Sequence, residues 1–109
     1  MSATAATLAY ITAKDREEAL RIGRSLLESR LVACINVLAG MHSEYWWESR
    51  LEQAEECVLI AKTMGSRQDE IVRKVKELHG YTVPCVVFLP ISGGNPEYLA
   101  WIERECGDA

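Results

Sequence analysis

The strongest constraint on this chain is a long hairpin. From Val32 to Trp47 the residues keep a strand pattern broken only at Gly40, Glu48 and Ser49 suit a turn, and a second strand pattern runs from Arg50 to Thr63. The sixteen residues Val32–Trp47, extended at ~3.3 Å per residue, would reach about 50 Å. A chain of 109 residues makes one domain, with a radius of gyration of only about 13 Å. The hairpin must therefore bend at Gly40, since glycine within a strand marks a bulge or bend, or overhang the domain, or both. Its tip carries Tyr45, Trp46 and Trp47 together. An overhanging aromatic tip with unpaired edges is an aggregation hazard in a monomer. The pattern predicts that Tyr45, Trp46 and Trp47 form an interface, with edge-to-edge pairing between copies in a closed ring. The alternative is a hairpin that folds back, so that the tryptophans pack on their own domain.

The remaining segments fill in the plan around the hairpin. Leu8–Ala13 reads as a strand, and Asp15 with Glu18 forms a capping box opening a helix whose apolar stripe is Ala19, Ile22 and Leu26. That helix should end near Arg30, and Leu31–Leu38 reads as a strand buried on both faces. Ser66 and Asp69 form a weaker capping box for a second helix, with Gly80 at its C′ position. Cys85–Leu89 is the last strand, and Asn95 with Pro96 opens a third helix. The order is β-α-β-β-α-β and then a short helix. This predicts an α+β, ferredoxin-like single domain over residues 1–109, with helices on one face of a four-stranded antiparallel sheet. No local element covers the other face.

Charge narrows the partners. Twelve Lys and Arg against sixteen Asp and Glu leave a net charge of −4, and no basic run is present. A nucleic-acid partner and an anionic membrane surface both need a basic patch, so neither is expected. No apolar run approaches the ~20 residues that span a bilayer. The first seven residues carry no basic n-region, so no signal peptide is expected and the cytoplasm is the expected compartment. Cys34, Cys57, Cys85 and Cys106 contain no C-x-x-C pair and read as free thiols.

Beyond these patterns, the chain resembles the CutA divalent-cation-tolerance family. The resemblance is carried by Thr12-Ala13-Lys14-Asp15, Leu31-Val32-Ala33-Cys34-Ile35-Asn36, Ser43-Glu44-Tyr45-Trp46-Trp47-Glu48 and Leu59-Ile60-Ala61-Lys62-Thr63. It continues through His79-Gly80-Tyr81-Thr82-Val83-Pro84 and the ending Gly94 to Ile102. Several segments in the right order make it specific from about Thr7 to Ile102. The resemblance implies a ferredoxin-like fold, a tight homotrimer shaped like PII signalling proteins, and a role in tolerance of copper and other divalent metals. It also implies a divalent cation such as Cu(II) as the cofactor to look for, with none required for folding.

The metal residues of that pattern are only partly present. In copper-binding members a Cys precedes the Thr-Ala segment and two His precede Pro-Tyr; here those positions hold Ile11, and Leu78 with His79, followed by Gly80. His79 is thus the one candidate metal contact, and a single imidazole does not chelate. Its place in the last helical turn gives it a second, structural role beside the negative helix end. Lys62 closes an apolar run and either snorkels to a carboxylate or joins Tyr81 and His79 in a cleft between subunits that takes a small anion. Glu52, Glu55 and Glu56 read as a solvated face, and His42 as exposed.

Catalysis finds no support. G-x-S-x-G, P-loop and H-E-x-x-H motifs are absent. Lys14 and Arg16 follow the first strand without the glycine-rich cradle a phosphate site needs, and Gly93-Gly94-Asn95 is explained by helix entry. The expected function is non-enzymatic: a metal-tolerance trimer, or a PII-like signalling or adaptor trimer binding a small metabolite or partner protein through Lys62 and Tyr81.

Overall fold

A computed structural model describes residues 5–107 of the protein; the N-terminal reading for residues 1–4 lies outside them. Strand β1 is Ala6–Ala13, helix α1 Arg16–Glu28, β2 Cys34–Trp47 and β3 Arg50–Met64. A 3₁₀ turn, Gly65–Arg67, leads into α2, Gln68–Leu78; β4, Val86–Pro90, and α3, Pro96–Cys106, follow. The four strands form one antiparallel sheet in the order β2-β3-β1-β4. No helix among the described residues is long and apolar enough to cross a membrane.

Alternation along the strands builds the core. Ala9, Ile11 and Ala13 of β1 and Cys57, Leu59 and Ala61 of β3 point to one face and are buried there by Ala19, Ile22 and Leu26 of α1 and Ile71 and Val75 of α2. Helix α1 approaches closely at Gly23, where a Cβ would lie 2.6 Å from the Ile35 side chain. A smaller cluster, Met64, Ile102 and Cys106, fixes α3 to the end of β3.

The capping box forms with one refinement. Asp15 accepts the Glu18 amide at 2.8 Å, but Glu18 reaches back to the Lys14 amide at 2.9 Å rather than to that of Asp15. At the other end Arg30 takes a left-handed φ of 61° and terminates the helix.

Two expectations are corrected. β2 begins at Cys34, with Leu31 and Val32 buried in the preceding link, and its outer positions Asn36 and Leu38 are exposed in the single chain. Apolar content alone suggested burial on both faces; a strand at the sheet edge with no covering layer does not receive it. The second helix is not capped by Ser66: its cap residue is Arg67, with no side-chain cap bond, and the Ser66 hydroxyl is buried without a hydrogen-bond partner. The 3₁₀ turn moves the helix start past Ser66, out of capping reach. Gly80 sits at C′ as expected, but what it supplies is an amide that donates to the buried Glu18 at 2.9 Å.

The hairpin both bends and overhangs. Register slips by one residue between Leu38 and Met41, and Gly40 takes φ +84°. Glu48 and Ser49 turn the chain with φ of 51° and 66°, the primed geometry that matches strand twist. β1 leaves β3 at Ala13–Cys57, so Met41–Trp47 and Arg50–Glu56 have no third strand beside them. The domain is accordingly elongated, 43 × 26 × 23 Å.

Candidate functional site

The site forms where β3 loses its β1 neighbour. Past Cys57 the sheet narrows to the bare hairpin, and the segment after α2 crosses this vacated edge. Four hydrogen bonds and one ring contact fix that segment. His79 is buried: its Nε2 bonds the Thr12 carbonyl at 2.6 Å, while its Nδ1 accepts the Tyr81 amide at 3.0 Å. The ring proton therefore sits on Nε2. The Glu18 carboxylate, itself buried, accepts the Gly80 amide. The Tyr81 ring leans on the His79 ring with centroids 4.6 Å apart, and the Tyr81 hydroxyl donates to Glu56 Oε2 at 2.7 Å. Burial, reinforced by the neighbouring Glu56 carboxylate, pushes the Tyr81 phenol well above its ordinary value.

Between this segment and the hairpin lies an open groove of about 770 Å³. Thr12 and Glu56 form its floor; Ser43, Tyr45 and Trp47 wall one side, and Tyr81, Thr82 and Val83 the other. Alternation explains the wall: Tyr45 and Trp47 share a face with Ser43, whereas Trp46 points to the opposite face, opposite Leu51 on β3. The three tip aromatics therefore do not form one cluster. Trp46 is 74% exposed, Trp47 43% and Tyr45 41%.

The structure separates residues that sequence reasoning joined. Tyr81 lines the groove, His79 lies buried behind it, and Lys62 is elsewhere. Six residues separate Lys62 from Glu56 along β3, roughly 20 Å at ~3.3 Å per residue. Lys62 instead bonds Asn36 Oδ1 at 2.7 Å on the open sheet face. The groove holds no Lys or Arg among its lining residues and does hold Glu44 and Glu56, so its charge does not suit a small anion. Glu56 is the residue the sequence missed. It is only 8% exposed, not part of a solvated face, because the loop that covers it comes from a distant segment. Even spacing from Glu52 was the available signal, and it points only to a shared face.

A divalent metal is poorly served within one chain. A ligating imidazole must offer a lone pair, and His79 has committed both nitrogens to backbone groups. Among the described residues, no three His, Cys, Asp or Glu side chains are grouped to hold a metal ion. His42 is exposed and, among the described residues, pairs with Glu44 at 2.8 Å. Cys34 touches the Tyr98 hydroxyl at 3.7 Å, and all four cysteines are free. The residues present do not fit a resident Cu(II).

Away from the groove, the sheet face opposite α1 and α2 is covered at one end by α3, where Ile102 and Cys106 pack with Met64, and is open over the rest. Leu38 on one edge strand and Val87 and Leu89 on the other expose half or more of their surface there, and exposed large apolar side chains on one face mark a candidate interaction site.

Comparison with known proteins agrees with this architecture. Residues 7–105 match the model of the CutA1 divalent ion tolerance protein family. A divalent-cation tolerance protein CutA from Archaeoglobus fulgidus is 44% identical over 95 residues, covering 87% of this chain and 92% of the relative. A rice relative named as a chloroplastic CutA 1 protein is 40% identical over 95 residues, and the match spans only 54% of its length. The solved structure of the divalent cation tolerance protein from Thermus thermophilus superposes with a TM-score of 0.91 at 38% identity, covering 94% of this chain and 99% of that one.

Proposed function

Because the chain belongs to the CutA1 divalent ion tolerance protein family, we propose that it acts in tolerance of, and response to, divalent metal ions, copper among them, as a homotrimer. The family is named for ion tolerance and not for a catalysed reaction. The observation that carries the reading is the match over residues 7–105. The uncovered sheet face supports assembly: Leu38, Val87 and Leu89 exposed to water favour a covering copy, and the overhanging hairpin offers Tyr45, Trp46 and Trp47 to neighbours. Any Cu(II) contact is weak in this reading, because His79 must surrender the Tyr81 amide before it can ligate. The four free thiols suit a reducing compartment. The reading therefore keeps the chain in the cytoplasm, although the name of the rice relative points to the chloroplast in that organism.

The test is growth of a strain lacking the gene on graded Cu(II) and Zn(II). The reading expects lowered tolerance, restored by the wild-type gene and also by His79→Gln, which keeps a donor toward Thr12. Unchanged tolerance in the deletion strain would remove the role.

A second reading, a PII-like signalling or adaptor trimer binding a small metabolite or a partner protein in clefts between subunits, is favoured by the groove itself. Tyr81 and Lys62 are then the contacts, brought together from neighbouring subunits, since within one chain they lie toward opposite ends of the sheet.

A further inference from the structure

We propose that the groove between the hairpin and the loop at Tyr81 binds an organic cation bearing N–H donors, an alkylguanidinium or alkylammonium group. The proposal rests on the reading of this groove as a ligand site and not on the tolerance role. Its centre is Glu56. The residue is 8% exposed, and its Oε2 accepts the Tyr81 hydroxyl. Among the described residues, no donor meets its Oε1, and no Lys, Arg or His lies within ion-pair reach of the carboxylate. Oε1 is not sealed off either, because the Ser66 hydroxyl is the one buried side-chain polar atom left without a partner among the described residues. A carboxylate this buried, with no compensating cation, is costly to hold and has acceptor capacity to spare.

The walls fit the same ligand. Tyr45 and Trp47 present aromatic surface to the groove from one face of the hairpin, the face left to a ligand where a neighbour packs on Trp46 from the other, and aromatic faces attract cations. Glu44 also lines the groove, where it pairs with His42, and no Lys or Arg stands among the lining residues. A bare divalent ion fits less well. Hard cations gather six or more oxygens, and no suitable cluster exists among the described residues. The groove, at about 770 Å³, has the size of a small-molecule site. The N–H donors of a planar guanidinium would meet Oε1, and its alkyl stem would lie along Trp47.

The test is calorimetric titration of the intact wild-type protein with n-butylguanidinium, n-butanol and n-butyrate, with NOE spectra of the first. The expected result is saturable binding of n-butylguanidinium alone, weakened at least tenfold in Glu56→Gln, with NOEs from its methylenes to the Tyr45 and Trp47 rings. The NOEs are read on wild-type protein and stand even if the variant does not fold. Equal uptake of n-butanol or n-butyrate would keep the groove as a ligand site and overturn the cation. No uptake of any of the three would overturn both. Glu56→Gln that breaks the assembly, with no guanidinium uptake by wild type, would assign the carboxylate to a subunit contact and overturn the free ligand.

Discussion

Replacing His79 by Ala tests whether this residue holds the fold or holds a metal. The side chain is fully buried and spans two backbone groups, the Thr12 carbonyl at 2.6 Å and the Tyr81 amide at 3.0 Å. Truncation orphans both. Leaving a buried polar group unmade costs about 1–3 kcal/mol, so two such groups cost about 2–6 kcal/mol. The void under the Tyr81 ring adds to this, and water entering it offsets part. The expected loss is about 4 kcal/mol, a large fraction of the ~5–15 kcal/mol that holds a domain together. Equilibrium urea denaturation at one fixed protein concentration measures it, because assembly makes apparent stability concentration-dependent. His79→Gln keeps an N–H donor toward Thr12 and should recover about 1 kcal/mol, the worth of one hydrogen bond. Cu(II) affinity should be the same in wild type and in both variants. A loss below about 1 kcal/mol, together with lost Cu(II) binding, would show that His79 is a ligand and that its backbone bonds are incidental.

Other perturbations follow from single contacts. Gly40→Ala should cost about 1 kcal/mol in the same denaturation assay, entirely through the φ of +84°, because open space surrounds the position. Tyr81→Phe removes a bond to a carboxylate and should cost about 1.5–3 kcal/mol at neutral pH. Because the folded phenol titrates above its unfolded value, its contribution is full below pH ~10 and is lost as pH rises further. Stability of wild type should therefore fall more steeply above pH ~10 than that of Tyr81→Phe. Leu89→Asp puts a charge on the uncovered sheet face and should dissociate the assembly in gel filtration without altering the circular dichroism of the protomer.

Much of the fold was legible because it is local. Asp15 and Glu18 at capping spacing, Asn95-Pro96 at a helix entry, Gly40 within a strand and the long hairpin each state their structure within a few residues. Boundaries failed where tertiary context decided: β2 starts at Cys34 because Leu31 and Val32 serve the core from a link, and a 3₁₀ turn takes Ser66 out of capping position. The site was half legible. Tyr81 and His79 stood out, but their roles depend on Thr12, Glu18 and Glu56, which come from three distant elements. Glu56 lay hidden among neighbouring acids, since nothing local marks which of them a loop will cover. Lys62 was joined to Tyr81 and His79 only through a cleft between subunits, and within one chain β3 carries it to the far end of the sheet.

An assembly of three chains gives the exposed sheet face and the overhanging hairpin their neighbours, and sedimentation equilibrium of the purified, demetallated protein reads it from mass alone. The expected result is one species of three times the 12.2 kDa chain mass, persisting on dilution. A stable 12.2 kDa species at every concentration would rule the trimer out.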